Sequence, residues 1–130
     1  MATALVFQGP QPPVNHPTLV QLRIAHGRLL IDRGRAGEAE SMLRAALDSR
    51  ARRFGASDWR VAEAQVALAR ALLAQGKGDA AAPLLASSTT TLHRAGRGQL
   101  ALKREADAAL AQLSARPPAA SDQAPMRASR

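Results

Sequence analysis

The chain has 130 residues, no cysteine and a formal net charge of +8 at pH 7. This length allows one domain, and the absence of cysteine excludes disulfide bonds, thiolate metal sites and a cysteine nucleophile. Because aromatic residues make up only 2% of the chain, the core must be built from Leu and Ala, which favours packed helices over a β-sandwich or barrel.

Membrane and secretion signals are not predicted. No apolar run approaches the ~20 residues of a membrane helix, and the first residues lack the basic and long apolar regions of a signal peptide. We therefore expect a cytoplasmic protein without a membrane span. The positive charge favours acidic partners, but it is almost entirely arginine spread along an Ala- and Gly-rich chain, a composition typical of a GC-rich bacterial genome.

The first predicted helix follows a proline-containing stretch, residues 1–14, which we interpret as a disordered lead-in. Asn15 or His16 is suited to cap this helix, and Pro17 suits its first turn because the N–H that proline lacks would have no partner there. The helix ends before Gly34. An apolar stripe follows the helical period and comprises Leu19, Leu22, Ala25, His26, Leu29 and Leu30, with His26 expected to pack in the core.

The second helix is predicted from about Gly37 to Phe54, with Gly55 ending it. Its buried stripe comprises Ala39, Met42, Leu43, Ala46, Leu47 and Phe54. A basic cluster, Arg50-Ala51-Arg52-Arg53, lies at its end. We interpret this cluster as a solvated helix end, because no interleaved aromatic residues or recognition motif indicate nucleic-acid binding, which we do not expect.

The third helix is predicted from Trp59 to Gln75, with Ser57 or Asp58 as its cap. Its apolar face comprises Val61, Ala64, Leu68, Ala71 and Leu72. When residue n is aligned with residue n+42, Asn15-His16-Pro17 falls on Ser57-Asp58-Trp59, so the two helix starts correspond.

The fourth helix begins near Asp79, and Pro83 is tolerated there because it lies near the first turn. The Ser/Thr run at 87–91 predicts that this helix is the least regular. A fifth helix is predicted at 99–113, before a disordered tail at 116–130. Its apolar face comprises Leu102, Ala106, Ala109, Leu110 and Leu113, and its opposite face carries Lys103, Arg104, Glu105 and Asp107.

The two helix pairs repeat when residue n is aligned with residue n+42. The identical pairs are Ala25/Ala67, Arg28/Arg70, Leu30/Leu72, Gly34/Gly76, Ala39/Ala81 and Leu43/Leu85. A fixed period of this size is typical of helical arrays in which each pair leaves an apolar face for the next element to cover. We therefore predict an all-α domain over residues 15–115, an α-α superhelix of two hairpins (15–56 and 57–98) with a C-terminal capping helix (99–113).

This pattern resembles the tetratricopeptide repeat (TPR) over residues 15–113. The family's order of small, large, Gly, Ala, large and small residues is matched by Gly27, Leu30, Gly34, Ala39, Leu43 and Ala46, and again by Ala69, Leu72, Gly76, Ala81, Leu85 and Ser88. The family's usual Trp and Leu are replaced by Arg23 and His26 in the first pair. The period and the connector Phe54-Gly55-Ala56-Ser57-Asp58 look like the kinesin-light-chain-type subclass, which is similar to arrays in bacterial multi-domain proteins.

The resemblance implies a non-catalytic module that binds a protein or peptide in a concave groove. The positions that would line it are Gln21, Ile24, Arg28, Ile31, Glu63, Val66, Arg70 and Leu73. Arg28 and Arg70 correspond by register, and two guanidinium groups over an apolar strip would suit an extended, acidic peptide. The alternative is that both are solvated surface arginines. The groove asparagines of the chaperone-binding relatives are missing, so we do not expect that function.

Catalysis is not predicted. His16, His26 and His93 have no cysteine or paired carboxylate at metal-ligand spacing, and no phosphate loop follows a strand. We expect no cofactor and no metal. The alternative function is structural: a first helix with Leu19, Leu22 and Leu29 uncovered predicts self-association, or a place at the end of a longer array.

Overall fold

The structure, a computed structural model, describes residues 16–115, and this part of the chain is all-α as predicted. Its helices are α1 (Pro17–Asp32), α2 (Ala36–Phe54), α3 (Trp59–Ala74), α4 (Gly78–Arg94) and α5 (Leu100–Ala115), with a 3₁₀ turn at Gly96–Gln99. Each helix begins within one residue of its predicted start. The lead-in predicted at 1–14 and the tail predicted at 116–130 lie outside the described residues.

The helices form two hairpins and a closing helix. α1 packs against α2, and α3 packs against α4; α3 also contacts α1 and α2, and α5 packs against α3 and α4. None of the helices in residues 16–115 has both the length and the apolar character needed to cross a membrane.

The sequence repeat reappears in the backbone. The alignment of n with n+42 carries both ends of α1 onto the ends of α3, and the start of α2 onto the start of α4. Gly34 and Gly76, at equivalent turns, both have a φ of 80°, a conformation that glycine adopts without Cβ strain. His16 and Asp58 cap α1 and α3 in the same way, because each side chain accepts the N–H of the helix's second residue, at 3.2 and 2.8 Å.

Small residues let the paired helices approach closely. A Cβ atom at Gly27 of α1 would lie 2.8 Å from the side chain of Leu43 on α2, so the hairpin depends on glycine or a small residue at this contact. The predicted apolar faces of α2, α3 and α5 are confirmed. Their buried members are Ala39, Leu43, Ala46, Val61, Ala64, Leu68, Ala71, Leu72, Leu102, Ala106 and Ala109.

The apolar stripe predicted on α1 is mostly not its buried face, although its member Leu30 is buried and the exposure of Leu22 and Leu29 agrees with the uncovered first helix expected from the sequence. The structure buries Val20, Ile24, Gly27 and Leu30. Four members of the predicted stripe are exposed instead: Leu22, Ala25, His26 and Leu29. The helical period could not separate the two faces, because α1 carries apolar residues at helical spacing on both. The contacts of α1 with α2 and α3 decide which face is buried.

The Ser/Thr run that predicts α4 to be the least regular helix does not interrupt it, since α4 is continuous from Gly78 to Arg94. The hydroxyls of Ser88 and Thr90 donate to carbonyls one turn earlier, both at 3.1 Å, and Ser88 is fully buried. Packing therefore outweighs the low helix propensity of this run. Pro83 is the sixth residue of the helix, beyond the first turn, and lies on its exposed side.

Glu40 on α2 connects the two hairpins. Its carboxylate accepts hydrogen bonds from Gln75 Nε2 at 2.8 Å and from Lys77 Nζ at 3.0 Å, both at the turn after α3. Arg44, one turn along α2, donates to the same carboxylate at 2.8 Å. These bonds, that of Gln75 first, lower the pKa of Glu40 to about 2. The charged carboxylate therefore stabilises the junction at neutral pH.

We predict that Glu40→Gln lowers the free energy of unfolding at neutral pH by on the order of 1–3 kcal/mol. In the unfolded chain Glu40 titrates near its ordinary pKa of 4.5, so its stabilisation is fully present above that pH and is lost as the pH falls towards 2. Urea denaturation across this pH range should therefore show a weaker acid dependence in the variant. Glu38→Gln is the control, because Glu38 pairs with Arg35 at the exposed surface, and equal effects would contradict the prediction.

Candidate binding face

Arg28 and Arg70 converge on one carboxylate. Arg28 Nη1 donates to both oxygens of Glu105 at 2.7 and 2.6 Å, and Arg70 Nη1 donates to Glu105 Oε2 at 3.0 Å. The three side chains are 26%, 32% and 22% exposed, so solvent reaches the cluster. Neither arginine is freely solvated, and the cluster joins α1, α3 and α5. We call these three residues the Glu105 cluster.

Sequence reasoning missed the role of Glu105, because the apolar period of the closing helix assigns this residue to the outer face. The signal for its position is the repeat register, since Gln21, Glu63 and Glu105 follow one another at the spacing of the repeat. The closing helix therefore occupies the place that the first helix of a third pair would take. Its acidic residue lies on the same face as the predicted groove residues.

The apolar strip predicted for the groove is not open. Ile24, Val66 and Leu73 are 3%, 0% and 4% exposed, and only Ile31 is half-buried at the edge of the core. The first helices of the hairpins pack closely enough to cover these side chains, so they form core. The polar members of the predicted set remain accessible, and whether they bind a peptide stays a prediction.

Arg50 corrects the interpretation of the basic cluster on α2. Its side chain is buried, and its Nη1 donates to the backbone carbonyl of Arg60 at 2.8 Å and to Glu63 Oε1 at 2.6 Å, while Nη2 donates to Gln21 Oε1 at 3.1 Å. Two predicted groove residues thus hold a buried arginine. The equivalent position in the second pair is Leu92, which is also buried, so Arg50 occupies a core position of the repeat. Arg52 and Arg53 are exposed as expected.

Two open cavities lie beside the Glu105 cluster. One, of about 270 Å³, is lined by Arg28, Trp59, Glu63 and Glu105 among others. The other, of about 360 Å³, is lined by Arg70, Glu105 and small or polar residues of α5. The cluster therefore stands between two depressions of one surface, which gives an extended segment room on either side of the two arginines.

The described residues show no constellation for metal chemistry, because residues 16–115 hold no group of three or more His, Cys, Asp or Glu that could bind a metal ion. His16 caps α1, as one of the two predicted alternatives. His93 lies in the last turn of α4, where a positive charge is favoured. His26, predicted to pack in the core, is exposed.

Comparisons with protein-family models, with curated proteins and with solved structures found no match to this chain.

We predict that Glu105→Gln lowers the free energy of unfolding by about 1–2 kcal/mol, because two half-buried guanidinium groups lose their shared counter-charge. Asp107→Asn is the matched control, since it removes one negative charge from an exposed position of the same helix and should change stability by less than about 0.5 kcal/mol. Urea denaturation at neutral pH measures both. Equal losses would show that the cluster contributes no more than a surface charge.

Proposed function

We propose that the chain is a non-catalytic scaffold of the tetratricopeptide type that binds an acidic segment of another protein across the Glu105 cluster. The observation that carries this proposal is the convergence of Arg28 and Arg70 on one carboxylate at 2.6 to 3.0 Å. Guanidinium groups that already hold one carboxylate have the geometry to hold another. Because the cluster is partly exposed, a ligand carboxylate can displace Glu105 or bind beside it.

The charge of the chain supports this choice of ligand. The net charge of +8 steers acidic segments towards the protein, and the two cavities beside the cluster give such a segment a path along the surface. The repeat register supports the scaffold assignment, since stacked hairpins of this type present an extended face. We further propose a cytoplasmic location, which is supported by the absence of cysteine.

We predict that an extended peptide of alternating Glu and Ala binds the protein, and that the same peptide with Gln in place of Glu does not. Arg28→Gln with Arg70→Gln should weaken binding about tenfold or more, through the loss of charge-assisted hydrogen bonds. Glu105→Gln should strengthen binding, because it removes the internal competitor. Fluorescence anisotropy with labelled peptides measures each affinity.

The control for this experiment is Arg52→Gln with Arg94→Gln, which removes the same charge from exposed positions near the ends of α2 and α4. If this variant loses as much affinity as Arg28→Gln with Arg70→Gln, the peptide is held by net charge and the proposed binding face is wrong. Weaker binding by Glu105→Gln would equally contradict competition between Glu105 and the ligand. Circular dichroism of each variant shows that the fold is retained.

A second candidate function, self-association, is favoured by the outer face of α1. Leu22, Ala25 and Leu29 are exposed there, Leu22 by 60% and Leu29 by 47%. Their equivalents in the second hairpin, Ala64, Ala67 and Ala71, are fully buried. Since α3 differs from α1 in having a hairpin before it, that preceding hairpin covers these positions. The exposed positions of α1 are therefore equivalent, in the repeat, to positions that other helices cover.

We predict that the protein dimerises through this face at high concentration and that Leu22→Gln with Leu29→Gln shifts it to the monomer, because about 1–2 kcal/mol of apolar burial is lost for each leucine. Light scattering over a concentration series measures the mass. Leu100→Gln is the control, since Leu100 is 52% exposed but lies on α5. A monomer at every concentration would contradict self-association and leave the peptide-binding proposal standing.

A further inference from the structure

A separate cavity of about 200 Å³ lies where the start of α1, the end of α2 and the start of α3 meet. Three of its eight lining residues are arginines, Arg50, Arg53 and Arg60, and none is acidic. It is distinct from the Glu105 cluster, because no residue of that cluster lines it. Its wall therefore presents guanidinium groups without carboxylates among them.

Two of these arginines are held in place by the protein. Arg60 lies over the ring of Phe54, with its guanidinium carbon 3.7 Å from the ring centroid. Its Nε and Nη2 donate to Asp58 at 2.8 and 2.9 Å. Arg50 is buried and fixed by Gln21 and by the Arg60 carbonyl. The positions of both guanidinium groups are thus set before any ligand arrives.

Donors and charge remain available at this wall. Among the described side chains, the Nη1 of Arg60 and the Nε of Arg50 take part in no hydrogen bond. Arg53 is exposed, makes a cation–π contact with Phe54 at 5.7 Å, and has no ion pair among residues 16–115. The carboxylates of Asp58 and Glu63 balance Arg60 and Arg50. One positive charge, that of Arg53, is left over.

We propose that this cavity binds a phosphate group, either as the free ion or on a phosphorylated side chain. Guanidinium groups from both α2 and α3 line the cavity, and a tetrahedral anion has enough oxygens to accept from all of them, whereas a carboxylate has two. The volume corresponds to about seven water molecules, which accommodates a phosphate group and the atom that carries it.

The test is a titration of the whole chain with inorganic phosphate, monitored by calorimetry or NMR. Ionic strength is held constant, with chloride as the balancing anion. We expect saturable binding with a dissociation constant on the order of 1 mM. Arg53→Gln should weaken it about tenfold, the equivalent of one charge-assisted hydrogen bond. Arg52→Gln is the matched control, because Arg52 is exposed, pairs with Asp48 and does not line the cavity.

Several outcomes would overturn the proposal. These are no saturable binding, equal weakening by both substitutions, or acetate binding as tightly as phosphate. Arg60→Lys keeps the charge but removes the planar fork, and unchanged affinity in this variant would also count against the site. A phosphoserine peptide is then compared with inorganic phosphate and with the same peptide carrying serine. Tighter binding of the phosphoserine peptide than of both would show that the cavity takes a phosphorylated side chain. Equal affinity for the phosphoserine peptide and for inorganic phosphate would show that it takes the free ion. Failure here leaves the acidic-peptide proposal untouched, since the two sites share no arginine.

Discussion

The burial of α3 is the constraint on which the rest of this structure depends. Ten of its sixteen residues are buried, and five of those ten are alanine. Alanine side chains let α1, α2, α4 and α5 all approach the same helix. The main polar contacts also end on α3 or at its C-terminus. Gln75 donates to Glu40, and Arg50 donates to Glu63 and to the carbonyl of Arg60. Arg70 shares the carboxylate of Glu105 with Arg28.

The arginine excess of the chain has more than one physical role. Arg50 stands at the position that Leu92 takes in the second hairpin, and its two Nη groups donate to three acceptors on neighbouring helices. Arg28 and Arg70 hold the closing helix through Glu105. Arg52 pairs with Asp48 at the surface, where such pairs contribute little. In the proposals made here, net charge would steer acidic partners, while the geometry of particular guanidinium groups would decide where an anion binds.

The two proposed functions follow from the same property of stacked hairpins. Each hairpin covers the apolar face of its neighbour, so the stack of hairpins has two ends. At the C-terminal end of the described stack α5 packs on α3 and α4, and its Glu105 pairs with Arg28 and Arg70. At the other end the outer face of α1 presents Leu22 and Leu29. In these proposals a ligand carboxylate would compete with an internal contact, whereas a helix docking on α1 would not.

The sequence by itself determined the features that depend on neighbouring residues. Helix starts, the cap positions at 15–16 and 57–58, the glycine turns and the period of the repeat are local, and each helix start agrees with its prediction within one residue. The structure then selects His16 and Asp58 as the capping residues. The resemblance to tetratricopeptide repeats extends this interpretation and stays a prediction.

Only the tertiary structure decided which apolar face of α1 is buried, that Arg50 belongs to the core, and that α4 is continuous. It also brought Glu105 to Arg28, a residue 77 positions away. A helical period identifies apolar faces but not the neighbour that covers each one, and a charge pattern does not show which charges share a helix junction. Those outcomes depend on burial and on contacts between distant residues, which exist only once the hairpins have stacked.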